Sequence, residues 1–149
     1  MSQRGGSVVT YVKYGEKVYS PIIDRGEADV VIAFELLEAY RALPYLKKGG
    51  KMIVNTQRMN PMPVITGAAE YPEGLLDKLG EASQLTAVNA RELAEDAGNI
   101  KAVNVVLIGV MARLTDGISK ETWHSAVRAT SKEKFADVNI KAFEAGYGL

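Results

Sequence analysis

The sequence contains no cysteine, and that absence excludes more than any motif in it. Disulfide scaffolds, thiolate zinc sites, iron–sulfur ligation by this chain and cysteine nucleophiles fall together. Histidine is nearly absent as well: His124, directly after Trp123, has no second histidine to complete a metal site and reads as a surface or half-buried side chain. Serine-hydrolase chemistry thereby loses its usual base, and the nucleophile-elbow spacing G-x-S-x-G is missing too. No G-x-G-x-x-G follows a strand and no G-x-x-x-x-G-K-[ST] occurs, so the two commonest phosphate-cradling loops are not there. Eighteen Lys plus Arg against eighteen Asp plus Glu leave no net charge, which removes the attraction that nonspecific binding to nucleic acid or anionic membrane relies on. The longest apolar run, Val105 to Ala112, is far short of the roughly 18–20 residues that span a bilayer. Met1 to Gly6 lacks the apolar core of a signal peptide, so a cytoplasmic location is expected.

What remains is a chain of 149 residues, 47% hydrophobic and 24% charged, which is one domain's worth of sequence able to bury a core. Ser7 to Tyr14 and Val18 to Ile23 are rich in Val, Thr and Tyr, and Gly15-Glu16-Lys17 separates them, a pattern that predicts an N-terminal β-hairpin. The continuous apolar run Val30 to Phe34 suits a central parallel strand covered on both faces. Leu36, Leu37, Tyr40 and Leu43 then recur at helical spacing until Pro44 and Gly49-Gly50, and Lys51 to Thr56 supplies the next strand, completing a βαβ unit. Pro61 and Pro63 argue against helix and for an extended loop leading to Val64-Ile65. A helix over 74–82 and a strand over 85–88 repeat the pattern, and Asn89 with Glu92 has capping spacing for a short helix that Gly98 stops.

From Asn99 to Leu114 the residues Ile100, Val103, Leu107, Val110, Met111 and Leu114 form one stripe on a helix of about 25 Å. Its opposite face is apolar too, which places it in the core or at a subunit contact. Ser119 can cap the Trp123-bearing helix, and Thr130 with Glu133 has the spacing of a capping box for the last one. The whole reads as an α/β three-layer sandwich with a mostly parallel mixed sheet, a leading hairpin and a helical C-terminal third.

Few polar residues stand out as site candidates. Glu35 and Glu38 sit at a helix start, where a carboxylate is favoured by the macrodipole, and they also sit where an open α/β sheet places its cleft. Asn104, an amide on an apolar helix, must find a partner or remain a buried unpaired group at roughly 1–3 kcal/mol. The opening Gln3-Arg4-Gly5-Gly6-Ser7 joins two glycines, which permit close backbone approach, to a guanidinium that can grip a carboxylate or phosphate; a frayed terminus is its equal alternative.

Several stretches together resemble one family. Met1 to Val9 carries the run M-x-Q-R-G-G-S-V; Val18-Tyr19-Ser20-Pro21-Ile22-Ile23, Gly26-Glu27-Ala28-Asp29, Phe34-Glu35, Leu46 to Gly50 before Ile53 to Thr56, and Asn104 to Gly109 follow in register. They look like the beta subunit of indolepyruvate ferredoxin oxidoreductase, and the first run is shared with the gamma subunits of pyruvate and other 2-oxoacid ferredoxin oxidoreductases. The likeness covers essentially the whole chain.

The resemblance implies an accessory subunit in oxidative decarboxylation of arylpyruvates, with coenzyme A accepting the acyl group and ferredoxin the electrons. Thiamine diphosphate, Mg and [4Fe-4S] clusters would belong to the partner alpha subunit, with none bound by this chain. Gln3, Arg4, Gly5, Gly6 and Ser7 would then form the loop facing substrate, coenzyme A or partner, with Glu35 and Asn104 supporting it. Relative to the family, the single domain 1–149 lacks an N-terminal strand and its G-x-G-G-Q-G turn, and a misplaced start of the reading frame is the expected cause. Loss of that strand would expose backbone edges and apolar surface, and with them a route to homo-oligomers of the isolated chain. A non-catalytic binding or regulatory α/β module that has left the complex is the alternative.

Overall fold

A computed structural model describes residues 8–149. Strand β1 (Ala28–Ala33) leads into helix α1 (Leu36–Ala42), a 3-10 turn at Leu43–Tyr45 and strand β2 (Leu46–Asn55). Helices α2 (Met62–Ile65) and α3 (Leu75–Ala82) precede strand β3 (Gln84–Val88), and helices α4 (Ala90–Asp96), α5 (Val103–Leu114), α6 (Lys120–Thr130) and α7 (Ala136–Tyr147) complete the chain. The strands pair in the order β1-β2-β3 and both pairings are parallel, with Ile32 opposite Ile53 and Ile53 opposite Thr86.

Side chains alternate across the sheet and so create two separate cores. Met52 and Val54 point to one face, where they meet Ala39 of α1 and Leu79 of α3. Ile53 and Val88 point to the other, into a larger cluster with Ala94 of α4, Val106 and Val110 of α5 and Phe143 of α7. Helices on both faces of a parallel sheet make the expected three-layer α/β sandwich. Helix α5 is sandwiched as its all-round apolar sequence requires, with Val105, Val106, Leu107, Val110 and Ala112 buried. It crosses α7 at a close approach set by two glycines. A Cβ at Gly109 would collide with the Phe143 carbonyl and lie 2.9 Å from the Tyr147 backbone nitrogen; one at Gly146 would collide with the Val106 carbonyl.

The structure corrects five readings of the sequence. Residues 8–23 form no strand, so the N-terminal hairpin does not exist among the described residues and the sheet is purely parallel rather than mixed. Alternating β-prone residues make a strand only where one face has something to cover; here Val8, Val9, Val12, Tyr14, Tyr19 and Ile22 are all exposed. The arm is tied down by Tyr11 against Tyr45, with ring centroids 6.4 Å apart, and by Lys13 to Glu27 at 3.4 Å. Among the described residues β1 is an edge strand and β2 the central one, because a continuous apolar run reports cover on both faces and says nothing of neighbours within the sheet.

Met62–Ile65 is helical despite its prolines, since Pro61 is the N-cap and Pro63 lies in the first turn, where backbone N–H groups have no intrahelical partner to lose. Thr130 caps nothing: it ends α6, with its hydroxyl donating to the Ala126 carbonyl at 2.8 Å, and α7 starts only at Ala136. Finally, Asn104 is exposed: its neighbours Val105 and Val106 turn into the core while the amide lies on the outward side of the same turn, so no buried partner is required. Other caps fall where expected. Asn89 Oδ1 accepts from the Glu92 N–H and Ser119 Oγ from the Thr122 N–H.

Candidate functional site

Two polar side chains are buried among the described residues, and both lie at the carboxyl ends of neighbouring strands. Glu35 (3% exposed) follows β1 by two residues, and Asn55 (1% exposed) ends β2. Open parallel sheets place their binding crevices at that edge. Burying a carboxylate there is tolerable only when every lone pair is used.

Glu35 meets that condition. It is the N-cap of α1: Oε2 accepts from the Leu37 N–H at 2.8 Å and the Glu38 N–H at 3.1 Å, satisfying donors that a helix start leaves orphaned. Oε1 reaches away from the helix, accepting from the Met59 N–H at 3.3 Å and from the buried Tyr71 hydroxyl. One carboxylate thus joins α1, the loop after β2 and the segment before α3. Burial, with help from the facing carboxylate, pushes the Tyr71 hydroxyl up to about 12, so it remains a donor at every ordinary pH.

Asn55 does the same work one strand over. Its Nδ2 donates to the Phe34 carbonyl at 3.2 Å and to Gln57 Oε1 at 3.4 Å, while Oδ1 accepts from the Ala90 N–H at 3.2 Å. The end of β1, the end of β2 and the start of α4 are thereby stitched together. The loop they hold, residues 56–60, carries Arg58, whose guanidinium carbon sits 4.0 Å from the centroid of the Tyr71 ring. Arg58 Nε donates to Asn60 Oδ1 at 3.1 Å. Arg58 and Tyr71 line an open cleft of ≈ 590 Å³, with Val64, Pro72, Glu70 and Glu73 on its walls.

Of the two possibilities read for Glu35, helix-start stabilisation is the one this geometry supports, extended by the cross-links to Met59 and Tyr71. All four hydrogen bonds fix its oxygens in place, so its work is positioning. Asn104 joins no part of this network: it lies on α5, exposed, on the far side of the sheet from α1. Gln3, Arg4, Gly5, Gly6 and Ser7 lie outside the described residues. Asn55, Arg58 and Tyr71 escaped the sequence reading; the available signal was the polar pair Asn55-Thr56 closing an apolar strand at the edge where clefts form. His124 is half-buried, edge-on to Phe143 at 5.2 Å and beside Glu144. Among the described residues no three His, Asp or Glu side chains cluster to hold a metal ion, and no helix is long and apolar enough to cross a membrane.

The fold and this edge define a class: an α/β domain whose buried polar groups fix the geometry of a surface. Comparisons with known proteins sharpen the class to a family. Residues 1–149 match the family described as pyruvate ferredoxin/flavodoxin oxidoreductase. The indolepyruvate oxidoreductase subunit IorB of Thermococcus kodakarensis is 42% identical over 98% of this chain and 75% of its own length, and its counterpart in Archaeoglobus fulgidus is 42% identical over 99% and 75%. Among solved structures, the gamma subunit of a keto/oxoacid ferredoxin oxidoreductase from Geobacter sulfurreducens superposes with a TM-score of 0.62 at 28% identity, over 85% of this chain and 66% of that one. The chain belongs to the pyruvate ferredoxin/flavodoxin oxidoreductase family, and these relatives are subunits of oxidoreductases.

Proposed function

We propose that this chain is the accessory subunit of an arylpyruvate ferredoxin oxidoreductase, with indolepyruvate as the substrate. The observation that carries the reading is the 42% identity to subunits named for indolepyruvate oxidoreductase, sustained over 98% of the chain. In the reaction a 2-oxoacid loses its carboxyl group as CO2, its acyl carbon is oxidised and passed to the thiol of coenzyme A, and the electrons leave through iron–sulfur clusters to ferredoxin. Thiamine diphosphate, Mg and the [4Fe-4S] clusters belong in this reading to the alpha subunit. The absence of cysteine supports that division, because no thiolate of this chain can ligate a cluster.

The chain's own part is to present a fixed surface to the partner. The exposed apolar arm supplies contact area, and the edge fixed by Glu35 and Asn55 supplies a rigid rim. In this reading Gln3, Arg4, Gly5, Gly6 and Ser7 supply the contacts to substrate, coenzyme A or the partner's site. The test is to produce the chain together with its alpha subunit and measure ferredoxin reduction driven by indolepyruvate and coenzyme A. Activity that needs both chains supports the reading; full activity of the alpha subunit alone, or failure of the two to associate, sinks it. Pyruvate or ketoisovalerate outrunning indolepyruvate would keep the subunit role and replace the substrate.

A further inference from the structure

The geometry points to Arg58 as the centre of a small-oxyanion binding site that takes the carboxylate or phosphate group of a ligand lying in the cleft beside Tyr71. Three restraints set this arginine apart from an ordinary surface cation. Its guanidinium carbon lies over the ring of Tyr71, 4.0 Å from the centroid. That ring is itself buried and held by the hydroxyl's bond to the buried Glu35. Its Nε is engaged by Asn60 Oδ1 at 3.1 Å.

Together these restrain the guanidinium and leave both terminal nitrogens without a partner among the described residues. Among the described residues no carboxylate lies within ion-pairing distance of it, although Glu70 and Glu73 line the same cleft. A guanidinium oriented beforehand gives up less rotamer freedom on binding than a free one, and its paired N–H groups match the spacing of two oxygens on a carboxylate or phosphate. Val64 and Pro72 offer an apolar wall for the remainder of the ligand. The location is the carboxyl edge of a parallel sheet, where such ligands bind. This site is independent of the assembly proposed above, and its test uses the full chain alone, so either idea can fail without the other.

Inorganic phosphate and benzoate, titrated separately, separate the two sources of the oxyanion. The readout is the Nε–Hε resonance of Arg58 by NMR, with dissociation constants fitted for wild type and variants. We expect at least one of the two anions to saturate that resonance, and Arg58→Gln to weaken its binding by about tenfold or more, equivalent to 1.4 kcal/mol. Arg58→Lys should keep the charge, lose the fork and fall between. Tyr71→Leu, which removes the platform and leaves Arg58 in place, should weaken binding as well. Arg113→Gln, on α5 away from the cleft, controls for bulk electrostatics and should change nothing. Far-UV circular dichroism verifies that each variant is folded. Equal affinities in wild type and Arg58→Gln overturn the site, as does saturation of resonances elsewhere with Arg58 unmoved. If neither anion binds the wild-type chain, the small-ligand site is wrong.

Discussion

Tyr71 and Glu35 share one proton-donating contact, and both consequences of that contact can be measured. Replacing Tyr71 by Phe keeps the ring under Arg58 but leaves Glu35 Oε1 with only the Met59 N–H in a buried setting. The loss should be about 1–3 kcal/mol of stability, read by urea unfolding, since a buried acceptor loses its partner without regaining water. The second consequence concerns pH. A tyrosine whose folded value is raised to about 12 binds its proton more tightly than the unfolded chain does. Its contribution to stability is complete below the unfolded value near 10 and disappears as pH rises from there through 12. Absorbance at 295 nm should therefore show one tyrosine failing to titrate with the rest, and Tyr71→Phe should remove that late step; a wild-type curve with no late step refutes the assignment. At this scale the sequence was only half legible. Glu35 could be read because capping is local, its donors lying two and three residues on. Tyr71, 36 residues away, carries no local mark of its partner, and Asn104 misled because a helix apolar nearly all round does not disclose which narrow strip of it faces outward.

Between elements, packing is tightest where α5 crosses α7, and the glycines there do what no larger residue can. Gly109→Ala and Gly146→Ala should each cost about 3 kcal/mol, because the added methyl meets backbone rather than a side chain able to rotate away. Gly80 of α3 makes the contrast: its nearest neighbour is Leu85 at 3.8 Å, so Gly80→Ala should stabilise by about 0.4–1 kcal/mol. Thermal melts of the three variants decide the matter, and similar effects for Gly80 and Gly109 would refute the close approach. The α6–α7 contact adds a pH term. Lys120, bonded to Glu144 at 2.7 Å, and His124 beside it hold the Glu144 carboxyl below the usual range. A lowered folded value means that the pair stabilises above the unfolded carboxyl's range and loses that effect as pH falls through the folded one. Glu144→Gln should thus lower the melting temperature slightly at pH 7 and not at all near pH 3. The effect is small because these side chains are more than one-third exposed. Helices and strands were largely legible because periods of 2 and 3.6 belong to one element at a time; the hairpin was not, since a strand needs a partner that composition cannot supply.

For the molecule as a whole, the exposed arm over residues 8–23 is the feature that folding of this chain alone does not explain. Valines, tyrosines and an isoleucine in series, with Tyr19 85% exposed, form an apolar surface of the kind that soluble proteins reserve for contacts. Relatives that work as subunits of larger enzymes make the partner the natural cover. Two measurements follow from that argument. In the free chain, trypsin should cut the arm after Lys17, because no strand ladder protects its backbone; bound to the alpha subunit proposed above as its partner, the same bond should survive at least about tenfold longer, the protection expected when the cleavable population falls by 1.4 kcal/mol. Substituting Tyr14 and Tyr19 together by Ser should leave the melting temperature of the isolated chain unchanged, since neither reaches the core, while weakening assembly by about tenfold or more, as loss of aromatic anchors does. If the double variant assembles normally and trypsin cuts the complex as fast as the free chain, the arm is not the contact. The interface must then be sought at the rim held by Glu35 and Asn55, the two polar side chains buried among the described residues.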